Sequence, residues 1–216
     1  ELTADGYHQG GLGPGVTDWS NSATSWSGYN GTYPITPCGY CNDIGNFTGI
    51  KDLVIPECTA TNETDTVATK TFKVPRWRGF DNPFGYIWTN LDGVVIQRTA
   101  ANEISSVYTT TNKEEFTDVI GSKTIAGYEV AQDGYIKEFD LGETAEIIPS
   151  SCTGASATTY ICDYHSCNAT STELRTLLVG GCAYNGSFAG LGFFRSYYGV
   201  GSAYSVVGFR TLNRVS

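Results

Sequence analysis

Residues 177–215 read LLVGGCAYNGSFAGLGFFRSYYGVGSAYSVVGFRTLNRV. Small residues and aromatics alternate there around a fixed frame: Gly180-Gly181, Gly186, Ala189-Gly190 and Gly208-Phe209-Arg210. Glycine is the default residue where the backbone turns left-handed or two chains approach closely, so such a frame implies a rigid backbone path. The short apolar runs between the glycines read as three strands, at about 176–182, 191–197 and 204–212. Tyrosines, an asparagine and serines fill the gaps. That layout suits a binding surface better than a catalytic centre. In the middle strand, alternation sends Phe193, Arg195 and Tyr197 to one face and Phe194, Ser196 and Tyr198 to the other. Phe194 is expected inward and Arg195 outward, because an unpaired buried guanidinium is costly.

Upstream of this segment the texture is also that of strands and loops. The string Arg76-Trp77-Arg78-Gly79-Phe80-Asp81-Asn82-Pro83-Phe84-Gly85 reads as a buried turn, with Trp77, Phe84 and then Trp88 assigned to the core. Two strands are expected to follow, meeting in a hairpin at Asp92-Gly93. Lys113-Glu114-Glu115-Phe116 is expected to form one short helix, and residues 145–150 an extended piece stopped by Pro149. No repeat and no long helix is visible. Residues 1–36 are rich in Gly, Ser, Thr and Trp and read as an irregular arm, with one domain over 37–216.

Composition narrows the function classes. The 216 residues include 26 glycines, 14 tyrosines and no methionine, a mix that favours β-structure with many loops. Net charge is −9 and only 16% of residues are charged, which argues against nucleic acid, whose phosphates need clustered Lys and Arg. No run approaches the 18 apolar residues of a membrane span. No secretory leader is read, and a start at Glu1 implies a processed or truncated end. Seven cysteines leave at least one without a partner in the chain, and free buried thiols are the expectation for most of them. The pair Cys38 and Cys41 has the spacing of half a zinc site, but Cys162 and Cys167, with His165 between them, make a poor second half. The five Asn-x-Ser/Thr sequons, at Asn30, Asn46, Asn62, Asn168 and Asn185, are read as chance in so Asn- and Thr-rich a chain.

The frame Leu178-Val179-Gly180-Gly181, Ala189-Gly190-Leu191 and Gly208-Phe209-Arg210 resembles the end of the C-type lectin fold. It is closest to the formylglycine-generating-enzyme-like domains and the variable proteins of diversity-generating retroelements. Pro37-Cys38-Gly39-Tyr40, the string from Arg78 to Trp88, Asp133-Gly134-Tyr135-Ile136-Lys137-Glu138, Ile148-Pro149-Ser150, Thr159-Tyr160 and Asp163-Tyr164 are similar to proteins of gut Bacteroides phages and prophages. The resemblance spans residue 37 to the end. It implies an α+β, mainly β, C-type-lectin-like fold with many loops and a C-terminal antiparallel sheet. It further implies a virion surface protein, with trimeric fibres as the analogy for assembly. In that family the residues between the glycines form the ligand face and are often ones reachable by adenine-directed codon change. Tyr184, Asn185, Ser187, Ser196, Tyr197, Tyr198, Ser202, Tyr204 and Ser205 fit that pattern; Phe188, Phe193, Phe194, Val200 and Val206 depart from it.

Relatives of this fold include enzymes, so catalysis is tested first. Copper-thiolate chemistry of the formylglycine-generating type needs two cysteines after the glycine frame, and Cys182 stands alone there. Iron sites of the fold need a set of histidines, and the chain has only His8 and His165. Asp81-Asn82-Pro83 superficially resembles a calcium-lectin loop, but in the wrong order and without further oxygen ligands, so it reads as a turn capped by Asp81 or Asn82. The expectation is no enzyme, no metal and no cofactor. Aromatic display remains. Tyrosine offers rigid contact area at low entropic cost together with a hydrogen-bonding tip. The candidate ligand residues are Tyr184, Asn185, Phe188, Arg195, Tyr197, Tyr198 and Tyr204, facing a host cell-surface glycan or protein. Two functions are carried: a receptor-binding domain of a tail or head fibre, or a structural protein that cements capsid or tail subunits.

Overall fold

Strand is the dominant element, and helix among the described residues is limited to short 3-10 pieces, Asn42–Ile44, Lys113–Glu115 and a 3-10 residue at Phe188. The computed structural model describes residues 40–57, 68–152, 161, 163–182, 185, 188–204 and 207–208. The expected arm over 1–36, Tyr184 and Arg210 lie outside them. The chain divides into two compact units, one of residues 1–88 with 180–191, the other of residues 89–179 with 192–216.

The first unit holds a three-stranded sheet of β1 (Gly49–Glu57), β2 (Ala68–Trp77) and β3 (Phe80–Asp81), in that order. β1 and β2 run antiparallel over their length, from Gly49 opposite Arg76 to Glu57 opposite Ala68. The tight return from β2 to β3 uses left-handed backbone at Arg78 and Gly79. Arg76, 7% exposed, is spent on the Asp81 carboxylate across that turn and on the Gly45 carbonyl. Phe84 and Ala189 form a small core, with Ile50, Trp77 and Leu191 packed against it. Gly85 N–H donates to the Gly180 carbonyl at 3.0 Å.

The second unit is one large sheet. Its strands are β4 (Trp88–Arg98), β5 (Ser105–Thr109), β6 (Thr124–Glu129), β7 (Gly134–Leu141), β8 (Ile147–Cys152), β9 (Tyr164–Cys167), β10 (Arg175–Val179), β11 (Phe194–Ser196) and β12 (Val207–Gly208). They follow the order β6-β5-β4-β10-β11-β9-β7-β8, with β12 also on β4. The pairings with a stated direction are antiparallel except β9 with β11. The two ends of the sheet, β6 and β8, come back together: Val130 N–H donates to the Pro149 carbonyl at 3.0 Å. Gly127 makes room for that approach, since a Cβ there would lie 2.7 Å from Ile148 Cδ1. The sheet is therefore nearly closed, which removes most of the edge that an open sheet would expose. Ile96, Val107, Ile148, Leu177 and Phe194 fill its interior, with Val94, Ala126 and Val179 against them.

Several expectations need correction. The chain is mainly β, but no α-helix occurs among the described residues, because no stretch sustains a helical apolar period. The C-terminal strands β10 and β11 do pair antiparallel, but in the middle of the large sheet, where β11 runs parallel to β9 on its other side. Asp92-Gly93 is not a hairpin. β4 runs straight through it, with Gly93 at φ +79 and its carbonyl accepting from Thr110 N–H, so the left-handed glycine bends one strand instead of joining two. Pro149 likewise sits inside β8 rather than stopping it. The core assignments of Phe84 and Trp88 hold at 1% and 0% exposure, whereas Trp77 is only half-buried, under the Arg78 guanidinium.

Candidate functional site

The residues just after β11 form an aromatic face on the second unit. Alternation along the strand buries Phe194 and Ser196 and turns Arg195 to the other side, as the sequence pattern requires. The chain then leaves the strand through Tyr197 and Tyr198 and is tied back to the start of β10. Thr176 N–H donates to the Tyr198 carbonyl, Val200 N–H to the Leu174 carbonyl, and Arg175 Nη1 to the Tyr197 carbonyl at 2.8 Å. Residue 199 bridges Arg175. These bonds fix the loop before any ligand arrives.

The side chains above it form a stack. The Arg195 guanidinium lies 4.8 Å from the Tyr198 ring and 5.2 Å from the Tyr197 ring. Tyr197 meets Tyr198 edge-on at 5.4 Å, and Tyr198 meets Tyr204 at 4.8 Å. Tyr197 and Tyr204 remain 42% and 47% exposed despite these contacts. Next to the stack is a shallow recess of about 300 Å³, open mouth included, lined by Asn90, Thr176, Leu178, Tyr198, Val200, Ser202, Tyr204 and Val207. Its wall offers an amide, hydroxyls and ring faces together. Such a surface can stack the C–H face of a sugar and bond its hydroxyls.

Of the seven residues read as ligand-binding, Arg195, Tyr197, Tyr198 and Tyr204 come together here. Asn185 and Phe188 belong to the first unit. Asn185 Oδ1 accepts from Cys182 N–H at 2.7 Å and so closes a turn, while Phe188 is 39% exposed. Tyr184 lies outside the described residues. Asp81, the carboxylate of the calcium-like string, is occupied by Arg76, and Asn82 takes the left-handed turn position at φ +47. Of the cysteines described, Cys41, Cys152 and Cys167 are free and buried, and Cys182 is buried with its thiol against Asn185. Burial pushes the Cys41 thiol up to about 11.

A second cluster escaped the sequence reading. His165 on β9 is fully buried inside the sheet, between Gln132 and Glu129. Its Nδ1–H donates to the Gln132 carbonyl at 2.7 Å, and its Nε2 faces Glu129 Oε1 at 2.7 Å. The Ser196 hydroxyl donates to the same carboxylate oxygen. Burial opposes charge on His165, but hydrogen bonds to Cys152 and Glu129 and the Glu129 charge outweigh it, holding the imidazolium up to about 10. Cys167, two residues along the strand, has its thiol pushed up to about 12 by burial and then by the charges of Glu129 and Asp133. One signal was legible: His165 and Cys167 lie at positions i and i+2, which a strand points to one face. Glu129, far off in sequence, was not.

Comparison with family models, with curated proteins and with solved structures finds no match for this chain.

Proposed function

We propose that the protein is a virion surface adhesin that binds a host cell-surface glycan through Arg195, Tyr197, Tyr198 and Tyr204. The observation that carries this reading is the stack itself: an arginine on two tyrosine rings, a third ring against Tyr198, and two of the rings well exposed, beside a recess of mixed polar and apolar lining. Burying such rings only against each other would waste the contact area they hold open. The backbone ties at Leu174, Arg175 and Thr176 favour binding further, because a pre-organised loop loses little entropy when it engages. The virion setting and the lectin-like assignment rest on the resemblance of the glycine frame. Left-handed Gly180 and Gly181 support that frame as a backbone requirement. No enzyme role is part of this reading.

The test is adsorption. Tyr197→Ala with Tyr198→Ala removes the centre of the stack. If these are hot spots, the loss is about 2–4 kcal/mol, roughly 30- to 1,000-fold in affinity. The measurement is binding of the purified chain to host cells and to an array of host-surface glycans, with circular dichroism as the check on folding. Unchanged binding by a folded double variant overturns the adhesin reading.

One observation favours the second reading, a decoration protein that cements virion subunits. On the outer side of β7 and β8, Leu141 and Ile147 lie opposite each other and are 74% and 57% exposed. An apolar pair of this kind suits a subunit contact. Leu141→Lys with Ile147→Lys then reduces incorporation into particles and leaves glycan binding alone.

A further inference from the structure

We propose that the interior of the second unit holds one zinc ion, bound by Glu129, His165 and Cys167, with Cys152 as the fourth ligand. The ligand atoms of Glu129, His165 and Cys167 all lie within 4.8 Å of one another, and all three side chains are buried. Tetrahedral zinc with bonds of about 2.0–2.3 Å spaces its ligands roughly 3.3–3.8 Å apart. The set therefore closes on an ion with small side-chain movements. Cys152, 4% exposed on β8, adds its thiol from beside the His165 ring. Nitrogen, thiolate and carboxylate together match zinc better than the hard cations, which take oxygen.

Two independent features point to a ligand here rather than to ordinary packing. First, Glu129 Oε2 is fully buried and has no hydrogen-bond partner, a costly state for a carboxylate oxygen inside a core. A metal bond to that oxygen would satisfy it. Second, the His165 Nδ1–H to Gln132 carbonyl bond fixes the ring as metal-binding histidines are fixed, with Nε2 directed at the other ligands. On binding zinc, the Nε2 proton and both thiol protons leave to solvent, and the Arg98 guanidinium, 4% exposed and beside Cys167, offsets part of the thiolate charge.

The experiment uses the full chain produced in zinc-supplemented medium. Elemental analysis should find one zinc per chain in wild type and in a variant carrying C38S, C41S, C58S and C162S, but less than a tenth of that in C167S and in E129Q. Cobalt replacement of the zinc should show thiolate-to-metal charge-transfer absorption in the four-serine variant, a readout that does not depend on whether C167S folds. Should the four-serine variant fail to fold, the same absorption is read in wild type, where C167S or C152S must remove it. Folded wild type that takes up no zinc, and whose melting temperature neither zinc nor chelator moves, overturns the proposal. So does zinc that survives in C167S, or that is lost from a folded four-serine variant.

Discussion

Gly181 shows how much a single backbone angle decides. Gly180 and Gly181 stand at φ +91 and +78, a region that side chains with a Cβ rarely enter. At Gly180 a Cβ would also touch Phe84 Cα and the Pro83 carbonyl at 3.6 Å, so space there is tight but not forbidding. Conformation, more than crowding, is the reason for glycine. Gly181→Val is expected to cost about 1–3 kcal/mol, and Gly181→Ala less, since the β-branched residue resists this region most. The midpoint of urea unfolding measures both; an unchanged midpoint for the valine variant would refute the strain argument. Asn82 reaches the same region at φ +47 without glycine, because a short amide side chain tolerates it. Its N–H donates to the Pro75 carbonyl at 2.8 Å, which makes the Asp81-Asn82-Pro83 string a structural turn.

The β7–β8 hairpin shows an element held by one carboxylate. The turn from Leu141 to Ile147 places Ala145 at φ +69, and the Gly142 N–H donates to the Glu146 carbonyl at 2.8 Å. Glu146 then folds its side chain over the turn. It accepts from the Thr144 hydroxyl, from Thr144 N–H at 3.1 Å and from the Thr109 hydroxyl on β5 at 3.2 Å. Thr144 above all, then its own backbone N–H, hold this carboxyl below its ordinary value of 4.5. A depressed carboxyl binds fewer protons folded than unfolded, so its contribution is complete above about 4.5 and disappears as pH drops through the lower folded value. The wild type should thus lose more stability between pH 6 and pH 3 than Glu146→Gln does. Equal losses in parallel urea titrations at the two pH values would remove Glu146 from the account. Part of this element was readable: the extended run 145–150 overlaps β8 from Ile147 on, although its first two residues lie in the turn and the strand continues past Pro149. Asp92-Gly93 misled for a physical reason. The pair permits a hairpin, but the residues after it pair with β5 and those before it with β10, so the same strand continues.

Across the large sheet, the deciding feature is its near closure around a polar centre. Glu129 and His165 lie on strands far apart in the sequence, β6 and β9, and meet only because the sheet curls until β6 reaches β8. Removing one partner of such a pair leaves a buried charge uncompensated. His165→Ala is therefore expected to destabilise by about 3–5 kcal/mol, the range for breaking a buried pair. Combining it with Glu129→Leu should cost less than the two changes added, because the orphaned carboxylate goes with it. Chemical denaturation of the four proteins gives the coupling energy, and strict additivity would mean that the two groups do not interact.

By itself the sequence determined what local chemistry can carry. β-forming composition made the chain mainly β, the Gly180-Gly181 pair of the glycine frame marked two of its left-handed positions, and period-two alternation placed Phe194 inward and Arg195 outward. It also brought Arg195, Tyr197, Tyr198 and Tyr204 to notice, since they are near neighbours along the chain. Only the tertiary structure decided that β11 lies between β10 and β9, that Asn90 and Thr176 share a recess with those tyrosines, and that Glu129 joins His165 and Cys167. Strand pairing over long separations is set by which closed arrangement buries the apolar faces and satisfies the backbone, and no local pattern encodes that choice.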